Sequence, residues 1–200
     1  MKKIIFTIAA SFALSFNAAA QGRVTVDYDI TVRDTLTREL MAFLDVYYLK
    51  ATVHGDIKGK KWLLYSHRCE GDSVVTKPVF PYAFEFSDTT ATFTFFAKND
   101  GPDTVRISCN TPRYGGNSVK YAIDTKNETE YPTPYILMET FPEKPYTTAD
   151  EINLAAYTSG IRTGRSSYSF CDLRYKKSHP STWQKEHKIP RFVFFSLRME

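Results

Sequence analysis

Short alternating segments separated by turn signals fill most of the chain, and they constrain its fold more than any other feature. Val24–Val32 alternates apolar and polar residues without a break, which is typical of a strand with one buried and one solvated face. Similar segments recur between residues 45 and 123, with turns such as Asn99-Asp100-Gly101-Pro102 between them. This spacing predicts a mainly β chain, folded as an antiparallel β-sandwich or a partly open barrel.

The C-terminal segment Phe192–Leu197 is apolar at every position except Ser196. A strand of this composition is typical of the centre of a sheet that is covered on both faces. Aromatic residues make up 15% of the whole chain, and they too favour strands. We therefore expect the C-terminal segment to form part of the hydrophobic core.

Two segments carry the signals of short helices. Thr148-Ala149-Asp150-Glu151 has the sequence of a capping box, in which the threonine and glutamate side chains satisfy backbone N–H groups at a helix start. This motif predicts a helix over residues 149–159. Ser181 is a candidate cap for a second short helix over residues 181–187.

Three further segments differ in how clearly the sequence assigns them. Residues 35–44 keep apolar side chains at helical spacing behind Asp34, a good capping residue, yet the sequence alone does not decide their state. Residues 45–54 are rich in β-branched and aromatic side chains and predict a strand. Residues 167–175 also predict a strand, and Cys171 would then be a buried thiol.

The N-terminus has the three parts of a secretory signal. Met1-Lys2-Lys3 is basic, Ile4–Phe16 is apolar, and small residues lead up to Ala20. We predict that residues 1–20 are a signal peptide cleaved after Ala20, so that the protein is secreted or periplasmic. The apolar run is too short to remain as a membrane anchor.

Residues 21–200 are predicted to form a single β-rich domain, with a candidate sub-domain boundary in the proline-rich range 131–146. Gln21 stands where a bacterial lipoprotein would carry the cysteine that receives the lipid, so we expect no lipid anchor. No later stretch is apolar for long enough to cross a bilayer. The mature chain is therefore predicted to contain no transmembrane segment.

The charge of the mature chain bears on the class of partner. Loss of Lys2 and Lys3 with the signal lowers the number of Lys and Arg residues from 26 to 24, against 22 acidic residues. This near balance, without a basic stripe, argues against nucleic-acid binding. A protein or a glycan of the envelope is the partner that the sequence favours.

Three cysteines raise the question of a disulfide: Cys69, Cys109 and Cys171. An oxidising envelope permits one disulfide and leaves one thiol over. A bond between Cys69 and Cys109 would close a loop of about 40 residues, worth roughly 4 kcal/mol in the chain-entropy model. Spacing does not rank this pair above the other two, and three reduced thiols acting as small hydrophobic residues are a further alternative.

Cys171, Asp172, His179 and His187 form the candidate catalytic cluster. A cysteine nucleophile needs a nearby base, usually histidine, and Asp172 is available to orient that base. No nucleophile signature surrounds Cys171. The chain also contains neither a Gly-rich phosphate loop nor a Gly-x-Ser-x-Gly elbow, and we predict no cofactor.

A metal site would use some of the same side chains. His67 and Cys69 share one face of a predicted strand, and Cys171 with His179 or His187 would complete the three or four nitrogen and sulfur ligands that zinc requires. No pair has the tight spacing of a structural zinc motif. We therefore predict no metal.

Aromatic side chains are the basis of the leading interpretation, a binding module. Exported β-sandwiches often present tyrosine and tryptophan to sugars or to peptides. Any one of these residues could instead pack in the core. The candidates lie in predicted loops or at strand ends, namely Tyr82, Tyr114, Tyr131, Tyr146 and Trp183.

Residues 47–86 resemble a known type of domain. Tyr47-Tyr48 is followed by Gly55, by Trp62-Leu63-Leu64-Tyr65 and by Phe84-Glu85-Phe86. This order resembles the small β domain that precedes thioredoxin-like domains in exported bacterial envelope proteins, and the rest of the chain resembles uncharacterised secreted proteins of gut bacteria. The resemblance implies a β architecture and an envelope setting. It implies no redox activity, because the chain has no Cys-x-x-Cys.

These patterns predict an exported, non-catalytic binding or structural protein of the bacterial cell envelope. The alternative is a small secreted hydrolase that uses Cys171 with His179 or His187. The two interpretations differ in whether Cys171 is needed for turnover, and they differ in where the structure should place it: beside a histidine at a cavity, or elsewhere.

Overall fold

The structure is a computed structural model that describes residues 22–101, 103–111, 113–123, 134–142, 145–164, 167–175 and 177–200. The predicted signal peptide and Tyr131 lie outside these ranges. No helix within the ranges is long and apolar enough to span a membrane. The candidate sub-domain boundary at 131–146 is described only from residue 134 to residue 142 and from residue 145 onwards.

The described residues form mostly strands, which confirms the prediction of a mainly β chain. The strands in chain order are β1 (Arg23–Asp29), β2 (Val46–Gly55), β3 (Lys61–Glu70), β4 (Ser73–Pro78), β5 (Phe84–Glu85), β6 (Thr90–Asn99), β7 (Thr104–Thr111), β8 (Gly115–Ala122), β9 (Tyr135–Met138), β10 (Tyr146–Thr147), β11 (Ile152–Ser159), β12 (Ile161–Arg162), β13 (Tyr168–Ser169) and β14 (Arg191–Met199). The helices are α1 (Thr35–Phe43), α2 (Cys171–Tyr175), a 3₁₀ helix (Pro180–Thr182) and α3 (Trp183–His187).

The strands pair into two large antiparallel sheets. The first sheet has the order β10-β1-β2-β6-β7-β8, and the second has the order β4-β3-β14-β11-β9, with β5 beside β3. Strands β12 and β13 pair with each other as a separate small ribbon. The hairpins β6-β7 and β7-β8 follow the predicted turn signals, so that neighbours in sequence are neighbours in the first sheet.

The two large sheets face each other across the main hydrophobic core. Phe95 of the first sheet meets Phe195 of the second with 5.1 Å between ring centroids, and Phe93 meets Trp62 at 5.2 Å. Aromatic pairs at such separations contribute beyond the area that they bury. The sandwich arrangement therefore rests on the alternating apolar positions that the sequence shows.

A second, smaller apolar cluster covers the outer face of the second sheet. Leu173 of α2, Trp183 of α3 and Ile189 pack there against Phe192 and Phe194 of β14. We call α2, the 3₁₀ helix and α3 together the helical cap. Because the cap covers one face of β14 and the sandwich core covers the other, β14 is buried on both sides, as its composition predicts.

The predicted helix over residues 149–159 is wrong, since residues 152–159 form β11. All eight residues of β11 are buried, and the strand pairs with β9 on one side and β14 on the other. The preceding threonine and acid do form a local turn: Asp150 Oδ2 accepts from Thr147 N at 2.7 Å and from Thr147 Oγ1 at 2.8 Å. Burial between two strands outweighs the local capping signal here.

The remaining predictions for residues 181–187, 35–44 and 167–175 have different outcomes. Residues 181–187 are helical, as predicted, through the 3₁₀ helix and α3. The undecided segment 35–44 contains α1, whose N-cap Asp34 accepts from Thr37 N at 2.7 Å. The predicted strand over 167–175 is wrong in its second half, because β13 ends at Ser169 and α2 follows.

No disulfide joins the three cysteines in the structure, which agrees with the alternative of three reduced thiols. Cys69 belongs to β3 and packs under the helical cap, whereas Cys109 belongs to β7 and packs in the sandwich core. Cys171 begins α2 and is exposed. Their side chains thus lie in three different environments, and burial raises the pKa of the Cys69 thiol to about 12 and that of Cys109 as well.

These environments predict that one thiol of three reacts in the folded protein. Ellman's reagent should modify Cys171 rapidly and should modify Cys69 and Cys109 only after unfolding, because buried thiols of raised pKa are inert. A Cys171→Ser variant should lose the rapid phase and keep the slow one. Rapid reaction of a second thiol, or a single free thiol in the unfolded protein, would contradict this assignment.

Candidate functional site

A cavity of about 500 Å³ lies where the helical cap meets the edge of the sandwich. Its volume falls within the range of small-molecule binding sites. We call it the cap cavity. Three segments line it, and they contribute Phe141, Pro142, Pro145 and Tyr146, then Asp150, Glu151 and Asn153, then Lys177, Ser178, His179, Thr182 and Glu186.

Two tyrosines tie the two sheets together at the base of this cavity. Tyr28 of β1 donates its hydroxyl to the carbonyl oxygen of Thr140 at 2.7 Å and lies 3.2 Å from that of Asn153. Tyr146 of β10 accepts from the backbone N–H of Asn153 at 3.2 Å. The start of β11 is therefore fixed to the edge of the first sheet, which holds the cavity wall in place.

A buried polar network lies beside the cavity and includes one of its lining residues, Glu151. The Glu151 carboxylate accepts from Arg198 at 2.9 Å and 2.7 Å. It also accepts a short hydrogen bond from Ser196, and His67 Nε2 lies 3.0 Å from it. These contacts lower the pKa of Glu151 to about 2, with the hydrogen bond from His67 the largest cause.

His67 is the centre of this network. Its Nε2 lies 2.7 Å from Ser196 Oγ, its Nδ1 lies 2.9 Å from Thr76 Oγ1, and its ring stacks on Phe194 at 4.3 Å. All partners are satisfied when Nε2 carries the proton and donates, while Nδ1 accepts from Thr76. The ring is thereby held in one orientation, and Glu151 is held with it.

The Ser196, His67 and Glu151 arrangement is not that of a nucleophilic triad. In a triad the carboxylate binds the histidine nitrogen opposite the serine, whereas here Glu151 and Ser196 share the same nitrogen of His67. Ser196 is also fully buried, and its hydroxyl donates to Glu151. The network therefore positions the Glu151 carboxylate at the cavity wall.

His179 occupies the rim of the cap cavity. Its Nδ1 caps the 3₁₀ helix by accepting from Ser181 N at 3.2 Å, and its ring edge meets Phe194 at 5.9 Å. Desolvation against these groups lowers the pKa of His179, and the nearby carboxylate of Glu151 opposes that change. Burial therefore disfavours the charged form of the imidazole, and one of its nitrogens is already used by the 3₁₀ helix.

Two buried polar atoms of the cavity wall have no hydrogen-bond partner among the described residues: Asn153 Oδ1 and Ser178 Oγ. Asn153 is only 4% exposed. Buried polar groups are almost always hydrogen-bonded in proteins, so two such atoms on one cavity wall are unusual. Both residues line the cap cavity.

The structure brings together two of the sequence candidates and separates the rest. Tyr146 and His179 both line the cap cavity. Cys171 and Asp172 lie in the first turn of α2 and do not line it, and Cys171 is exposed to solvent. His187 lies outside the lining as well, with its Nε2 3.8 Å from Glu186. The proposed cysteine and histidine cluster is therefore not assembled at this cavity.

The remaining aromatic candidates occupy different environments. Trp183 is 1% exposed and takes the alternative of packing in the core: its ring anchors the helical cap against Phe192. Tyr82 is exposed, and it packs edge-on against Phe84. Tyr114 stacks on Phe84 at 4.2 Å and lines a second cavity of about 190 Å³ beside Trp62. That cavity is smaller, and its wall combines aromatic with polar side chains.

Metal binding is not supported by the described residues, which contain no group of three or more His, Cys, Asp or Glu side chains that could hold an ion. His67 and Cys69, which the sequence offered as ligands on one strand face, serve other roles. His67 belongs to the Glu151 network, and Cys69 packs under the helical cap.

Comparison with known proteins was made against family models, curated proteins and solved structures. None of the three matched this chain. The assignment of function therefore depends on the cap cavity and on the sequence features alone.

Sequence reasoning did not identify Glu151, Asn153, Ser196 or His67 as parts of one site. Glu151 was assigned to a helix cap, and Asn153 to the helix that would follow. The signal that could have found them is a polar residue inside an apolar strand: Asn153 in Ile152-Asn153-Leu154 and Ser196 in Phe195-Ser196-Leu197. Such residues need a partner when buried.

Proposed function

We propose that this protein is an exported, non-catalytic binding protein of the bacterial cell envelope, and that its ligand occupies the cap cavity. The observation that carries the proposal is the pair of unpartnered buried atoms, Asn153 Oδ1 and Ser178 Oγ, on the wall of a cavity of about 500 Å³. Binding sites commonly combine such placed polar groups with an apolar wall.

Non-catalytic binding is favoured because two of the acid and base groups of the cavity, Glu151 and His179, are already engaged. Glu151 is fixed by Arg198, Ser196 and His67 as a stable carboxylate, which makes it a poor proton donor. The Nδ1 of His179 is used in capping the 3₁₀ helix. Neither group is free to exchange a proton with a substrate in the way that a hydrolase needs.

Export and the envelope setting rest on the sequence. The signal-like residues 1–20, the Gln21 that follows them and the resemblance of residues 47–86 to envelope β domains all support this part of the proposal. A protein or glycan of the envelope would supply the ligand. Detection of the chain in the periplasmic or culture fraction, with cleavage after Ala20 by N-terminal sequencing, tests this part separately.

Ligand binding is tested by replacing the aromatic side chain at the mouth of the cavity. Phe141 is 38% exposed and lines the cavity, so Phe141→Ala should weaken binding about fivefold, because a ring contact contributes on the order of 1 kcal/mol. Binding is measured by ligand-observed NMR against a library of small polar compounds.

Two matched control variants test whether a loss of binding is specific to the cap cavity. Tyr82→Ala removes a more exposed aromatic ring outside the cap cavity and should leave binding unchanged. Cys171→Ala should also leave it unchanged. Loss of binding in Tyr82→Ala but not in Phe141→Ala would place the ligand elsewhere, and turnover that depends on Cys171 would favour the hydrolase instead.

A further inference from the structure

The lining of the cap cavity carries three carboxylates, those of Asp150, Glu151 and Glu186, and one lysine, Lys177. The carboxylate of Glu151 is already paired with the Arg198 guanidinium. A small anion such as phosphate would meet three carboxylates here and gain one lysine. The arrangement therefore disfavours an anion, whereas a neutral ligand that binds by hydrogen bonds more than by charge does not meet this penalty.

The hydrogen-bonding groups are spread along the wall and do not converge on a point. No three acidic, histidine or cysteine side chains of the described residues are grouped closely enough to hold a metal ion. Asn153 and Ser178 supply an amide and a hydroxyl, and Asp150 and Glu186 supply carboxylate oxygens. A ligand that matches this set carries several hydroxyl groups, each able to donate and to accept.

Part of the cavity lining is apolar. Phe141, Pro142 and Pro145 contribute this part, and the Phe141 ring is held edge-on to Tyr28 at 5.4 Å. An aromatic face carries partial negative charge and attracts weakly positive C–H groups. A sugar ring presents such C–H groups on one face and hydroxyls around its rim.

We propose that the ligand of the cap cavity is a neutral saccharide, one or two sugar units long, whose hydroxyls bind Asn153 and Ser178 and whose C–H face lies on Phe141. This inference rests on the proposed binding function and names the ligand class of that same site. Asn153 determines specificity, because it is the most deeply buried polar group on the wall that has an unused acceptor.

Calorimetric titration of the protein purified after expression of the full chain tests this inference. The panel holds glucose, galactose, mannose, N-acetylglucosamine and their disaccharides, beside tri-alanine and putrescine. At least one saccharide should bind, and Asn153→Ala should weaken it about tenfold or more. The melting temperature of Asn153→Ala should fall only slightly, because the variant loses the side-chain hydrogen bond to Tyr146 together with a buried acceptor that has no partner.

Asn117→Ala is the matched control. The Asn117 amide donates a short hydrogen bond to the Val79 carbonyl oxygen and accepts from Ser118 N at 2.8 Å, so this variant should lower the melting temperature and leave saccharide binding unchanged. If tri-alanine or putrescine bound in place of the sugars, and Asn153→Ala abolished that binding, the saccharide assignment would be wrong. The proposed binding function would still stand. Two results would overturn both the saccharide assignment and the binding function. One is that no compound of the panel or the library binds, and the other is that neither Asn153→Ala nor Phe141→Ala changes the binding that is seen.

Discussion

Replacing Trp183 with alanine is expected to lower the free energy of unfolding by about 3–5 kcal/mol, the usual cost of removing a buried aromatic side chain. Trp183 is 1% exposed, packs against Phe192 and donates its indole N–H to the Ser178 carbonyl oxygen at 3.2 Å. It is therefore the main anchor of the helical cap. Because the cap supplies one wall of the cavity, ligand binding should be lost together with stability. Chemical denaturation and calorimetric titration measure the two effects.

The conservative variant Trp183→Phe separates packing from the hydrogen bond to Ser178. It keeps an aromatic ring under the cap, so we expect a smaller loss of stability, on the order of 1–2 kcal/mol, and binding that is weakened but measurable. If Trp183→Ala left both stability and binding intact, the cap would not depend on this side chain, and the proposed architecture of the cavity wall would be wrong.

Replacing Glu151 with glutamine is expected to change how stability depends on pH. The pKa of Glu151 is lowered from 4.5 to about 2 in the folded protein. A carboxylate with a lowered pKa stabilises the fold above its unfolded pKa, and that contribution is lost as the pH falls from about 4.5 to about 2. The contribution is about 2 kcal/mol at neutral pH, after allowance for the partial exposure of the side chain to water.

The measurement for Glu151→Gln is denaturant unfolding between pH 2 and pH 7. The wild-type protein should lose about 2 kcal/mol more than the variant across the acid range, and the two should converge near pH 2. Glu70→Gln is the control, because Glu70 pairs with Arg191 at 2.7 Å on an exposed surface and should matter little. An equally steep acid loss in Glu151→Gln would show that its charge does not hold the network together.

The sheets were largely predictable, because the alternation of apolar and polar residues in the sequence has the period of a strand. The alternation of Val24–Val32 matches β1, and the apolar run at the C-terminus matches the central strand β14. Residues 152–159 were not predictable in the same way. Their local signals resemble a helix start, and the preference for a strand arises only when β9 and β14 bury the segment from both sides.

The candidate site was predictable only in part. Tyr146 and His179 were named from the sequence and do line the cavity, although Tyr146 is largely buried and not exposed as expected. The Glu151 network could not be found, because its members come from β3, β14 and the start of β11, which only the fold brings together. Cys171 is a candidate by residue type alone, and the sequence does not reveal that α2 places it outside the cavity lining.

The two tryptophans of the chain provide the most direct test of the central claim, that ligand binds in the cap cavity. The Trp183 indole N–H is bonded to Ser178, which lines that cavity, whereas Trp62 lines the second cavity. Titration with a bound compound, followed by ¹H–¹⁵N NMR, should shift the Trp183 indole resonance and leave that of Trp62 in place. A shift of the Trp62 resonance with no change at Trp183 would contradict the claim.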